Sequence, residues 1–140
     1  MLSRREASIF ACFTDTVVAP EPLLPPVRET DAVWFFDEWL SLLPPLNRRG
    51  LRALLWVAEL SPLASGFGAR LRRLDPGRRA DWLRRAERAP VTQVRLLTKL
   101  IASAAQLSYY GDDAVSGRLG YDAEANLERG RRLRAEEGRP

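Results

Sequence analysis

Apolar residues in this chain recur at spacings of three and four, and nowhere do they alternate with polar ones as a half-buried strand would require. Ile9, Phe10, Phe13 and Val17 form one such stripe; Val94, Leu97, Ile101 and Ala104 form another. A periodicity of this kind confines the chain to helices packed on helices. A length of 140 residues fits one domain. At that size folding buries about 68–70% of the unfolded chain's surface, so a core forms without metals or disulfides. The expectation is an all-α fold: a single compact domain of five or six helices over residues 1–120, with a charged C-terminal helical tail over 121–140.

Local signals set the expected boundaries. Ser3 and Glu6 make a capping box that opens a first helix, Arg4 to Val18. Cys12 in its middle reads as core filler. Four prolines in residues 19–26 force an extended connector that presents Leu23 and Leu24. Thr30 or Asp31 caps a second helix that ends at Pro44-Pro45. Val33, Phe36, Leu40 and Leu43 form its inner stripe, and Trp34, Phe35, Trp39 and Leu42 cover most of the rest. A helix this apolar is expected to be enclosed on more than one side, by its own domain or by another chain.

A third helix is predicted over about Asn47–Leu60, with Leu51, Leu54, Leu55 and Ala58 inward. Arg48, Arg52, Trp56 and Glu59 then share the wet side. Trp56 there is either lidded by Arg52 in a cation–π contact or held out to a partner. Asp75-Pro76 opens a fourth helix to about Ala89. The fifth, about Val91–Tyr110, carries the widest apolar surface and is expected to be central, its alanines at 102, 104 and 105 allowing close approach. Gly111 stops it, Asp112-Asp113 begins a short helical turn, and the stretch from Ala123 to Glu137 is helical by propensity but nearly all charged.

Histidine is absent, which excludes Ser-His and Cys-His nucleophiles and an imidazole base. With one cysteine and one methionine, nearly every zinc and haem ligand set is excluded too. The expectation is a chain with no catalytic residues and no cofactor or metal of its own. Of the 22 basic residues only Lys99 is a lysine. Residues 1–45 carry three arginines against seven acids, and residues 70–88 carry eight against three. Two signs at two ends suggest an oriented protein contact, and the interleaved acids argue against a nucleic-acid stripe. Arg4-Arg5 lacks the apolar run of an export signal, and no window is apolar enough for a membrane span, so the chain reads as cytoplasmic.

Several phrases then occur together: Leu2-Ser3-Arg4-Arg5-Glu6 with Asp15 to Pro20, Pro44 to Leu55, Arg72 to Pro76, Tyr109-Tyr110-Gly111-Asp112, and Leu119-Gly120-Tyr121-Asp122. Over about residues 2–122 this set resembles the gluconate 2-dehydrogenase subunit 3 family. The resemblance implies a small helical companion of a large FAD-dependent oxidoreductase of the glucose-methanol-choline class. It implies a hetero-oligomer in which FAD sits in the partner subunit, and a role in stabilising or maturing that subunit. Two features depart from the family pattern. Many relatives begin with a twin-arginine signal, and many continue Gly-Tyr with one residue and then Gly-Pro, where Gly120-Tyr121 of this chain runs into Asp122-Ala123-Glu124-Ala125.

Adjacent tyrosines on a helix point in different directions, so one of Tyr109 and Tyr110 is hard to bury. The expected contact surface therefore comprises Tyr109, Tyr110, Asp112, Leu119 and Tyr121, with Trp56 as the next candidate. A free-standing helical adaptor is the alternative reading, and an arginine-rich nucleic-acid binder a weaker one.

Overall fold

The computed structural model describes residues 1–20, 22–120, 122–136 and 138. Among them the protein is all-helical, with seven α-helices in one compact arrangement and no strand. They are α1 (Arg4–Val18), α2 (Ala32–Leu42), α3 (Pro45–Ala64), α4 (Pro76–Glu87), α5 (Thr92–Tyr110), α6 (Asp113–Arg118) and α7 (Ala123–Glu136). Two short 3₁₀ turns, Val27–Glu29 and Leu71–Arg73, interrupt the connectors. The count exceeds the expected five or six because the turn after Gly111 and the charged tail each form a helix of their own.

α1 threads the middle. Its capping box is complete: the Ser3 hydroxyl accepts from the Glu6 N–H, and Glu6 Oε2 accepts from the Ser3 N–H at 2.8 Å. Ile9, Phe10 and Phe13 are fully buried. Phe10 stacks on Phe36 of α2 with centroids 3.9 Å apart, and Phe13 meets Trp82 of α4 edge-on at 6.2 Å. Leu55 of α3, Leu71 and Ile101 close this main core. A smaller cluster of Val27, Ala32, Tyr109 and Val115 lies under the proline connector. Tyr109 donates its hydroxyl to the Pro25 carbonyl at 2.7 Å and so ties that connector down.

Two buried carboxylates are answered by arginines. Glu6 receives Arg52 through two hydrogen bonds of 2.9 Å, and Glu59 receives the Arg72 side chain at 3.0 Å. Both pairs join elements distant in sequence, α1 to α3 and α3 to the second 3₁₀ turn. The expected Arg52 lid over Trp56 therefore does not form, and Glu59 is interior rather than wet. Trp56 is half-buried against the main core. The cation–π contacts lie elsewhere: Arg85 and Arg78 sit over the Phe67 ring at 4.9 and 5.8 Å.

α3 is longer than the spacing predicts, because prolines bound and enter it without ending it. Pro45 stands in the first turn, where a missing N–H costs nothing. Pro62 cannot donate to the Ala58 carbonyl, and the Ser61 hydroxyl donates there instead at 3.4 Å.

Candidate interaction surface

α2 and α5 lie side by side in opposite directions. The start of α2 is held at the end of α5, where the Asp31 N–H donates to Asp112 Oδ2 at 2.8 Å. Its far end, Trp39 and Leu43, meets Leu97 and Leu100. Asp31 makes no side-chain cap, and the Thr30 hydroxyl oxygen accepts only a long 3.4 Å bond from the Ala32 N–H. Ala32, Phe36 and Leu40, four residues apart, point inward and are buried. The remaining apolar residues point away: Trp34 is 63% exposed and Leu42 82%. Within this chain α2 is thus covered on one side only.

α5 divides in the same way. Its second half is buried through Ile101, Ala102, Ala104, Ala105, Ser108 and Tyr109. In its first half Val94, Leu96, Leu97 and Leu100 are all exposed, and Leu107 further along is 69% exposed. The expectation of a wholly central helix holds for its C-terminal half alone. Over its first half α3 packs against it only sparsely. The gap leaves a groove of about 540 Å³ lined by Trp39, Leu43, Leu51, Leu54, Val57, Leu97 and Leu100, with Asn47, Gly50 and Ala53. A smaller recess of about 250 Å³ adjoins it through Leu54, Val57 and Leu97 and reaches Trp82 and Phe13. No charged side chain lines either.

A pocket of different chemistry sits at the other end of α2. Glu29, Asp31, Asp112 and Asp113 surround the Trp34 and Phe35 rings in a recess of about 350 Å³, with no basic side chain among the lining residues. Asp112 is committed internally: it caps α6, its Oδ1 accepting from Ala114 and Val115, while its Oδ2 holds Asp31. Among the described residues no group of three carboxylate or sulfur ligands converges on a point, so these acids are spread around a cleft rather than gathered as a metal set.

The sequence-derived site residues are distributed around this end of the molecule. Tyr109 is fully buried and serves the chain's own core, so it is no surface anchor. Tyr110, edge-on to it at 5.1 Å, is the exposed one of the pair. Asp112 rims the acidic pocket, and Leu119 is exposed after α6. Tyr121 lies outside the described residues. The structure does not bring Trp56 to this cluster, since it packs on the main core. Trp34, Phe35, Leu97 and Leu100 were not among the expected site residues. For Leu100 the signal was present: in α5, Leu96, Leu100 and Leu107 form a second stripe outside the one containing Leu97 and Ile101, a pattern that one buried face cannot absorb.

The remaining reactive groups are spoken for. Burial pushes the Cys12 thiol above its usual range, which leaves it a weak nucleophile. The Arg52 hydrogen bonds hold Glu6 at about 2 despite its burial. Four of the eight arginines of 70–88 bond within the protein: Arg72 to Glu59, Arg79 to the Leu74 carbonyl, Arg78 to the Phe67 carbonyl and Arg84 to Asp81. A guanidinium spent internally is a poor phosphate contact. Comparison with protein-family models, curated proteins and solved structures finds no match to this chain.

Proposed function

We propose that the chain is a non-catalytic small subunit that stabilises a large FAD-dependent oxidoreductase of the glucose-methanol-choline class in the cytoplasm, seating its uncharged α3–α5 groove and the outer face of α2 against that subunit. The family resemblance of residues 2–122 supplies the partner's class. The observation that carries the need for a partner is the amount of surface left open. The chain exposes 9711 Å². A compact monomer of its 15.8 kDa mass would expose about 7,300 Å². The excess of roughly 2,400 Å² is on the scale of one side of a large permanent interface. The projecting α7 contributes part of it. An exposed tryptophan and a row of leucines without interspersed charge are what such interfaces bury at their centres.

Co-purification tests the reading. The tagged chain, expressed with a large FAD-dependent oxidoreductase of the glucose-methanol-choline class from the same genome, should retain a yellow partner with flavin absorbance through gel filtration. Trp34→Ser with Leu100→Gln should weaken that retention at least about tenfold, a modest loss for two interface anchors. A chain that stays a monodisperse monomer and retains no flavoprotein under these conditions sinks the proposal and favours the free-standing adaptor.

A further inference from the structure

The Arg-rich helix α7 and the acidic aromatic pocket are complementary in shape of charge, and neither is satisfied within one molecule. Among the described residues α7 buries none, and no other element packs extensively along it. On its surface Leu127, Arg131 and Arg134 recur at i, i+4 and i+7, so they share one face. Arg132 is already paired with Glu128 at 3.0 Å on a different face. The stripe therefore offers one apolar side chain followed by two guanidiniums, and the first and last lie about 10 Å apart along the axis.

The pocket presents the inverse. Trp34 and Phe35 show their rings to solvent, and the exposed carboxylates of Asp31, Asp113 and Glu29 surround them. Among the described residues, Glu29 is the one of these that forms an ion pair, with Arg28 at 3.8 Å and both side chains exposed. Guanidinium is the cation best suited to such a place, because it stacks on an aromatic face while its N–H groups reach carboxylates at the edge. The uncharged α3–α5 groove does not suit α7. Leu127 and Leu133 lie on different faces, and the helix would carry its arginines into a wall that offers them no acceptor.

We propose that α7 of one copy docks in the acidic aromatic pocket of a second copy, Leu127 against the Trp34 and Phe35 rings and Arg131 and Arg134 against Asp31 and Asp113. Because each copy both gives a helix and receives one, the exchange closes as a two-fold dimer. The α3–α5 groove stays free, whereas Trp34 on the outer face of α2 is shared, so self-association and contact with a large subunit compete for that face.

A charge-swap experiment on the full chain tests it by sedimentation velocity. The unmodified chain should dimerise, and raising salt from low to physiological strength should weaken the dimer about tenfold or more, as screened charge pairs require. Arg131→Glu with Arg134→Glu should be monomeric, and so should Asp31→Arg with Asp113→Arg. Mixing the two variants should restore a dimer containing one of each, because the reversed helix then meets the reversed pocket and the native helix meets the native pocket. Circular dichroism matching the parent separates loss of docking from loss of fold; the substituted positions are all exposed. A monomeric parent overturns the proposal, as does a dimer that survives both double variants, which would mark pairing through the apolar face instead. Failure of the mixture to reassociate overturns it too. None of these readouts involves a flavoprotein, so they stand or fall apart from the proposed function.

Discussion

The two halves of α5 are built from the same kinds of residue at the same spacing, yet only one is covered. From Ile101 to Tyr109 the helix meets α1, α2 and the proline connector, and its inward residues vanish from solvent. From Val94 to Leu100 it carries four large apolar side chains, all exposed. Burial there is not a matter of pattern, since the pattern is continuous. It depends on whether the chain has another element to lay down. α1 was spent on the second half, and α3, pinned to α1 by Glu6–Arg52 and to the following turn by Glu59–Arg72, cannot close on the first. The covered half is stabilised by the chain's own packing. The open half carries the chemistry of an interior that α3 and α4 border but do not cover.

The comparison breaks most visibly at Tyr109. Its ring is fully buried and its hydroxyl holds Pro25, so Tyr109→Ala removes packing and releases the connector together. A loss of about 4 kcal/mol is expected from urea unfolding, in the range of large aromatic truncations in cores. Tyr109→Phe keeps the ring and strands the Pro25 carbonyl, which should cost about 1 kcal/mol. If both variants unfold at the parental midpoint, the covered half is no more consolidated than the open one.

Acid should loosen the side of the molecule that holds α3 to α1. Glu6 titrates at about 2 in the folded protein, below its ordinary value, chiefly because Arg52 hydrogen-bonds the carboxylate; burial opposes this. A depressed carboxylate stabilises the fold above its ordinary value near 4.5, and that stabilisation is lost as pH falls towards 2. Since Arg52 is 40% exposed, solvent screening reduces the effect to about 2 kcal/mol. Asp15 works in the opposite sense, because its burial raises its titration and acid relieves the charged form. The contrast with Glu6→Gln isolates the pair: the unfolding midpoint of the parent should fall further between pH 6 and about pH 3 than that of the variant. Parallel pH profiles would mean the pair does not hold α3 in place.

What the sequence made legible follows the same division. The bounds of α1 are as read, because a capping box is a local device and Ser3 and Glu6 are three residues apart. The end of α5 at Tyr110 was readable for the same reason, with Gly111 next to it. Glu59 was misplaced on the wet face because its partner, Arg72, arrives from thirteen residues away through a loop whose path no spacing rule supplies. The ends of α3 were missed because apolar spacing alone does not show that Pro45 starts the helix and Pro62 is carried within it. In the candidate surface, the two tyrosines did divide into one buried and one exposed, as adjacent helical positions must. Which of them was buried depended on the proline connector returning over α5, a tertiary fact. That α2 carries more apolar surface than one side can bury was visible in its composition. That α5 does so over only half its length was not, because periodicity records a face and not what lies opposite it.

The smallest effect on stability should come from the open half, and it is the sharpest test of the comparison. Leu100 and Leu107 are at least half exposed. Replacing either with glutamine removes little packing and adds a solvated amide in helix positions that tolerate it. The unfolding free energy of Leu100→Gln or Leu107→Gln should therefore stay within about 0.5 kcal/mol of the parent, as for ordinary surface changes. Solubility should move the other way. Two polar breaks in an otherwise uncharged stripe reduce the contiguous apolar patch that drives non-specific association. The double variant should then remain clear at concentrations where the parent scatters light. An interior residue mutated in this manner loses stability and gains nothing, while an unpartnered interface residue keeps stability and gains solubility. If Leu100→Gln costs several kcal/mol, the groove is closed in solution by the chain's own α3, and the first half of α5 belongs with the second.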